Sequence, residues 1–439
     1  MSTAHAIAAV APDLPLSRAR GEFRAGWTLL LVTAVALMCA PSTLPVYTLG
    51  VFVAPLETAF GWSRREIQTA ILFSTGFGAI CAPIVGVLVE RYGSRAVVLP
   101  SFAGMAIGCA AAALMTGALW QFYAAYALMA ILGAGVGPIA WSRLVAGSFD
   151  KNRGLALGIA LSGTGLCAAF MPGLAERLIA AYGWRVAYGG LGAVTLIVAL
   201  PLAILLTPHE RRTSAAMSAE GASSSGTAVS FKAAVRNRRF WLLAASIILI
   251  YFSIAGAIPN LVPALTDSGV SRTAATSIMG VFGVAIIVGR IVVGALLDRF
   301  WAPGVGFAVL MPAVGACFIL TQDAGFSAYV AAAVLLGVAT GMEFDILAFL
   351  TARYFGILNY ARIYSVFYAI LAATAGVAPM IFGYFYDRAG SYDFVFAAAA
   401  ASLAVGATLL LPLGKYPAAA EASAIASVRA RSSAKANEE

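Results

Sequence analysis

The chain has 439 residues, 61% of them hydrophobic and only 11% charged, with a formal net charge of +9. Soluble domains run at about 45–50% apolar and about 25% charged residues, so this composition excludes a soluble fold. Many apolar runs reach the roughly 20 residues needed to cross a hydrocarbon core of about 30 Å. In lipid each span must satisfy its own backbone polar groups, and runs this long and uniformly apolar are helices rather than alternating barrel strands.

In chain order, the first element is a tail, 1–25, whose basic residues follow its weakly apolar part, the reverse of a signal peptide. Six spans follow, at about 26–56, 66–89, 95–116, 119–147, 153–181 and 184–207. Residues 208–238 are rich in Ser, Ala and Gly and basic at both ends, the composition of a flexible linker. Six more spans lie at about 239–266, 272–298, 304–322, 325–354, 360–386 and 392–414, and 415–439 form a second tail. The expected fold is an all-α membrane protein: twelve transmembrane helices in two six-helix pseudo-symmetric bundles, 26–207 and 239–414. Prolines are expected to break the first span at Pro41 and Pro45 and the seventh at Pro259 and Pro263.

With both termini in the cytoplasm, the tails, linker and inward loops hold 20 of the 28 basic residues, against six on outward loops. This is the positive-inside pattern, so the net charge reads as a topology signal and gives no reason to invoke nucleic acid. The five cysteines all fall in apolar runs without metal or disulfide spacing, and His5 and His209 lie in polar segments. Nothing in the sequence supplies the nucleophile, metal cluster or phosphate loop of an enzyme, and no cofactor is expected.

The two halves are related. "GWSRREIQTAILFSTGFGAICAPIVGVLVERYG" from Gly61 aligns with "GVSRTAATSIMGVFGVAIIVGRIVVGALLDRFW" from Gly269 at an offset of 208. Ser63 meets Ser271 and Arg64 meets Arg272; Gly86, Leu88, Glu90 and Arg91 meet Gly294, Leu296, Asp298 and Arg299. Parallel repeats joined by a basic linker suggest a transporter that rocks about a central site.

The loop "GVLVERYGSR" (Gly86–Arg95) resembles the major facilitator superfamily signature Gly-x-x-x-Asp-Arg-x-Gly-Arg-Arg/Lys, with Glu90 and Ser94 as departures. Within that superfamily, "YTLGVFVAPLETAFGWSR" (Tyr47–Arg64) resembles the first-span exit of the monocarboxylate porters and the oxalate–formate antiporters. The resemblance implies a secondary transporter, and the expected location is the bacterial inner membrane. It also implies a substrate-binding arginine in the eighth span, where this chain has Arg290. Two lysines found in parts of that group are missing: Tyr47 stands at the first-span position, and no lysine occurs between Lys232 and Lys415. One clear central cation argues for a single carboxylate rather than a dicarboxylate.

Charges shared by both halves read as scaffold or gate; charges in one half need their own reason. Glu90, Arg91, Arg95, Asp298 and Arg299 sit at inner helix ends and are the gating candidates, the alternative being solvated helix ends. Arg290 has Ala82 as its counterpart and lies two turns before Asp298, roughly 12 Å inside the membrane face. An intramembrane arginine costs at least about 2.5–3.5 kcal/mol on insertion scales, and its planar fork suits a carboxylate. The alternative is a structural ion pair. Glu343 and Asp345, in "GMEFDILAFL", also lack N-half counterparts. Residues two apart point in different directions on a helix, so one acid is expected to pair with Arg290 and the other to carry a proton; the alternative holds both in fixed networks. Further substrate-facing candidates are Tyr47, Asn260, Tyr364, Tyr368 and Arg143; the alternatives are packing of proline-kinked helices for Tyr47 and Asn260, and snorkelling to the interface for Arg143.

The expected function is proton-coupled symport of a small organic carboxylate across a lipid bilayer by alternating access, carried out by a monomer. Two alternatives stay open: a proton-driven exporter of drugs or hydrophobic cations, in which the acids bind the cation, and a carboxylate antiporter without proton coupling.

Overall fold

The computed structural model describes residues 15–149, 153–207, 231–355 and 360–416; the rest of the expected tails and linker lies outside them. Regular structure among the described residues is helical throughout. In order, the helices are α1 (Pro15–Met38), α2 (Leu44–Phe60), α3 (Arg64–Tyr92), α4 (Ser94–Ala113), α5 (Leu119–Leu132) and α6 (Pro138–Ser148). Next come α7 (Arg153–Leu161), α8 (Gly163–Tyr182), α9 (Trp184–Val194), α10 (Leu200–Leu206) and the short α11 (Phe231–Arg236). The remainder are α12 (Arg238–Asp267), α13 (Arg272–Arg299), α14 (Ala302–Ile319), α15 (Phe326–Phe355), α16 (Tyr360–Ala389) and α17 (Asp393–Thr408). Ten helical stretches are long and apolar enough to cross a membrane, with shorter apolar helices at Gly26–Met38, Leu44–Phe60 and Leu119–Leu132.

Helix ends follow local chemistry. The Ser63 hydroxyl accepts from the Glu66 amide while the Glu66 carboxylate accepts from the Ser63 amide, a capping box that starts α3. Ser271, its repeat partner, caps α13 through the Ala274 amide. Gly93 at φ 86° makes the one-residue joint between α3 and α4, a conformation only glycine adopts cheaply.

The first span is interrupted between Met38 and Leu44, around Pro41 as expected, and Pro45 sits in the first turn of α2. Other spans differ from the continuous helices expected. The run 119–147 is split: α5 stops at Leu132, a single 3₁₀ turn covers Ala134–Val136, and α6 restarts with Pro138 in its first turn, where a missing N–H costs nothing. The sixth run carries a π-helical turn at Thr195–Ala199. The seventh departs in the other direction. Pro259 and Pro263 both lie inside an unbroken α12. Pro263 leaves the Pro259 carbonyl without its usual donor, and Gly50 of α2 packs so tightly against it that an added Cβ would sit 2.6 Å from the oxygen.

Close helix approach is built on small residues. Gly165 of α8 and Gly283 of α13 face one another, each occupying space a side chain would fill. Gly337 and Gly341 of α15 press on the backbone of α13, Gly341 beside the Arg290 amide. The most extensive packing is α13 on α15 and α8, α3 on α16, and α12 on α16.

Candidate functional site

Two polar centres stand out, one at the helix ends around the start of α3 and one deep between α12, α13 and α15. The first is assembled on Arg64, which is buried at the first turn of α3. Its guanidinium donates to both oxygens of Asp267 at the end of α12, with the Nη2 contact at 3.0 Å. Nε donates to Glu57 Oε1 at 2.9 Å, and Nη1 to the Tyr392 hydroxyl at 3.1 Å. The guanidinium carbon lies 3.7 Å from the centre of the Tyr386 ring, a cation–π contact. The Arg64 and Arg65 amides donate to the two oxygens of Asp387, both at 3.0 Å. A second arginine repeats the pattern. Arg272, at the start of α13, bonds Glu176 of α8 at 2.9 Å and the Val51 carbonyl of α2 at 2.6 Å. The two arginines related by the repeat thus each reach from one half of the chain into the other.

Asn260 belongs to this cluster. Its Oδ1 accepts from Gln68 Nε2 at 3.1 Å and from Tyr392 at 3.0 Å, and its Nδ2 donates to the Gly256 carbonyl at 2.8 Å. Both ends of its amide are thus hydrogen-bonded within this cluster.

The second centre gathers several sequence candidates. Arg290 is 4% exposed, and its Nη1 lies 3.7 Å from Asp345 Oδ1, an ion pair without a hydrogen bond. Nε and Nη1 of Arg290 have no hydrogen-bond partner among the described residues. One oxygen of the buried Glu343 is likewise without a partner. An unpaired buried polar atom costs about 1–3 kcal/mol, more when charged, so such a concentration in one place calls for a partner from outside the chain. Tyr251 of α12 faces Glu343, and Tyr47 of α2 lies within electrostatic reach of both Glu343 and Arg290. Tyr47 packs its ring 6.5 Å from that of Phe282. Tyr368 neighbours Tyr251, and its ring lies 6.5 Å from that of Tyr364. Glycine packing explains the assembly: with Gly341 against the Arg290 backbone, Asp345 one turn further along α15 falls beside the guanidinium.

The expected gating set divides. Arg95 donates to the carbonyls of Ile204 and Thr207 at 2.8 and 2.7 Å, tying α4 to α10. Arg91 and Arg299 are exposed, Arg91 with its guanidinium 5.3 Å from the Tyr92 ring. The side chains of Glu90, Asp298 and Arg143 lie outside the described ones. Sequence reasoning missed the Arg64 cluster and Tyr251. The matched pair Arg64/Arg272 was the available signal for the cluster; nothing marked Tyr251 among the other span aromatics.

Comparison with known proteins places this architecture. The family profile of the Major Facilitator Superfamily matches residues 31–313 and 246–436, and the chain belongs to that family. It is an integral membrane transporter rather than an enzyme, and it resembles the monocarboxylate group. Mouse monocarboxylate transporter 12 is 23% identical over 405 residues, covering 84% of this chain and 82% of that protein. Mouse monocarboxylate transporter 11 is 22% identical over 411 residues, covering 88% of each. Among solved structures, a bacterial homolog of the human lysosomal transporter Spinster, in an inward-facing and occupied conformation, superposes with a TM-score of 0.61. It is 19% identical, over 93% of this chain and 97% of that one, a likeness of fold.

Proposed function

We propose that the chain is a proton-coupled symporter of a small monocarboxylate, working by alternating access between two six-helix bundles, 26–207 and 239–414, with twelve spans in all. The observation that carries this reading is Arg290: a buried guanidinium with N–H donors unclaimed, held on rigid helices beside an acid it does not hydrogen-bond. A carboxylate supplies both the charge and the acceptors that the site leaves unmatched. The similarity to proteins named monocarboxylate transporters supports the same substrate class.

Glu343 is the proposed proton carrier. As an anion it would be buried with one oxygen unbonded and no cation in contact among the described residues; taking up a proton removes that uncompensated charge. Asp345 is the proposed standing partner of Arg290, displaced or joined by substrate. The Arg64 and Arg272 clusters, on loops the basic-residue bias assigns to the outside, serve as the outward lock. With the lock engaged, the arrangement corresponds to an outward-closed state. Both termini then lie in the cytoplasm, and the membrane is the bacterial inner membrane.

The test is uptake of labelled monocarboxylates into proteoliposomes, with and without an inward proton gradient. Gradient-stimulated uptake that is lost in Arg290→Gln supports the proposal. Carboxylate exchange indifferent to the gradient leaves an antiporter. A second reading draws on the same unbonded oxygen of Glu343, which would also suit a hydrophobic cation; cation efflux that requires Glu343 and ignores Arg290 would replace the carboxylate reading.

A further inference from the structure

The basic-residue bias leaves few cations on the side of the membrane that carries the Arg64 cluster. Arg64 and Arg272 are engaged across the halves, and Arg185 lies 4.2 Å from the Trp184 ring and donates to the Met115 carbonyl at 3.3 Å. Arg65 and Arg388 are different. Both are exposed, and neither guanidinium has a hydrogen bond or an ion pair among the described residues. Both meet the ring of Tyr384, their guanidinium carbons 5.3 and 4.6 Å from its centre. Arg65 stands at the start of α3 and Arg388 at the end of α16, so two like charges from opposite halves of the chain share one aromatic ring. The neighbouring acids are taken. Both Asp387 oxygens accept from the Arg64 and Arg65 amides, and Glu66 accepts from the Ser63 amide at 2.9 Å. Their charge is set against the positive N-terminal end of α3, and the two guanidiniums remain unmatched.

Beside Arg65 an open recess of about 490 Å³ lies between α3, α5 and α16, lined by Ser63, Arg65, Glu66, Thr69, Tyr123 and Met380. Ligand sites span about 300–1,000 Å³. Its hydroxyls are already paired: Thr69 donates to the Arg65 carbonyl at 2.7 Å and Tyr123 to the Glu66 carbonyl at 3.0 Å. The Tyr123 ring stacks on Phe73 at 4.7 Å. Met380 precedes Arg388 by eight residues of α16, about 12 Å deeper into the membrane. The recess has a cationic rim and an apolar floor. A simple anion would match the rim alone; an anion that carries hydrocarbon matches both.

We propose that this recess binds an anionic phospholipid from the adjoining leaflet, its phosphate held between Arg65 and Arg388 and an acyl chain laid along Tyr123 and Met380. The guanidinium fork matches phosphate oxygens. The two arginines are neighbours only while α3 and α16 are together at this end, so the lipid acts as a bridge beside the Arg64 cluster, and an anionic membrane favours the joined state. The identity of the transported substrate has no part in this. Exposed ion pairs are individually weak, and a phosphate that engages both guanidiniums is expected to be preferred by about fivefold over that of a zwitterionic lipid, whose own cation sits beside it.

The experiment is native mass spectrometry of the purified full chain in detergent, titrated with phosphatidylglycerol, with phosphatidylcholine of the same acyl chains, and with inorganic phosphate. Wild-type protein is expected to prefer phosphatidylglycerol by about fivefold and to bind inorganic phosphate far more weakly. Arg65→Gln and Arg388→Gln should each abolish most of the preference, and the double variant should lose little more than either, the signature of one ligand bridging two groups. Arg65→Lys, which keeps the charge without the fork, should lose part of it and carries the test if a Gln variant does not fold. Equal binding of the two lipids to wild-type protein overturns the proposal, as does a preference retained in the double variant. Independent losses from the two single variants also overturn it, because they would mean separate lipids on the two arginines. Inorganic phosphate binding as tightly as phosphatidylglycerol would replace the lipid site with a plain anion site.

Discussion

Arg64→Ala is the most informative perturbation of the conformational equilibrium. In one residue it removes a bidentate pair with Asp267, a bond to Glu57, a bond to Tyr392 and a ring contact with Tyr386. Breaking a buried ion pair by deleting one partner costs about 3–5 kcal/mol. Here the side chains of Glu57 and Asp267 are 29% and 34% exposed, so water compensates part of the loss. About 2 kcal/mol remains, which multiplies the ratio of separated to joined halves by about 30. Spin labels at Thr58 and Ser268, both exposed near the cluster, report that ratio directly in a background with the five native cysteines replaced. Wild-type protein should give a short distance, and Arg64→Ala a second, longer population. Arg64→Lys should fall between, since lysine keeps the charge and loses the fork. A distance distribution unchanged by Arg64→Ala would refute the view that these bonds hold the halves together.

Three further outcomes follow from the same geometry. Arg290→Gln should weaken carboxylate binding by about 3 kcal/mol, more than a hundredfold, and Arg290→Lys should not restore it, because two charge-assisted bonds and their planar geometry are lost; equilibrium binding checks both. Glu343→Gln should leave carboxylate exchange between two loaded compartments intact while abolishing stimulation by a proton gradient, read with a pH dye inside proteoliposomes. Gly283→Ala should lower thermal stability in detergent by about 2 kcal/mol or more, because the new Cβ meets the backbone of Gly165 and Ala169, which cannot swing aside as a side chain can; Gly294→Ala, with open space around it, should be neutral.

The spans were legible because lipid imposes one strong demand, a long apolar helix, and sequence displays it. Their irregularities were less so. Apolarity does not distinguish the helical Ala125–Leu132 from the break at Gly133–Gly137 that follows, since neither carries a charged residue. Prolines misled in α12, where packing against Gly50 sustains the helix through Pro259 and Pro263. Arg290, Glu343 and Asp345 were visible because charge within a span is costly and so rarely idle; their mutual arrangement required the glycine contacts between α13 and α15. The Arg64 cluster escaped for the opposite reason. Charged residues at helix ends look solvated in sequence, and here the partners lie 203 and 323 positions away.

The bonds from Asp387 to the first amides of α3 carry one more implication. A helix normally finds its N-terminal cap within its own neighbouring residues, and Ser63 fills that place in part. Two of the remaining amides, those of Arg64 and Arg65, instead borrow their acceptor from the far end of the chain. Separation of the halves therefore strips the start of α3 of its acceptor at the moment of opening. Deuterium uptake at these two amides becomes a native, label-free clock of the transport cycle: slow while the halves are joined, fast once they part, and recorded by groups that no mutation has touched.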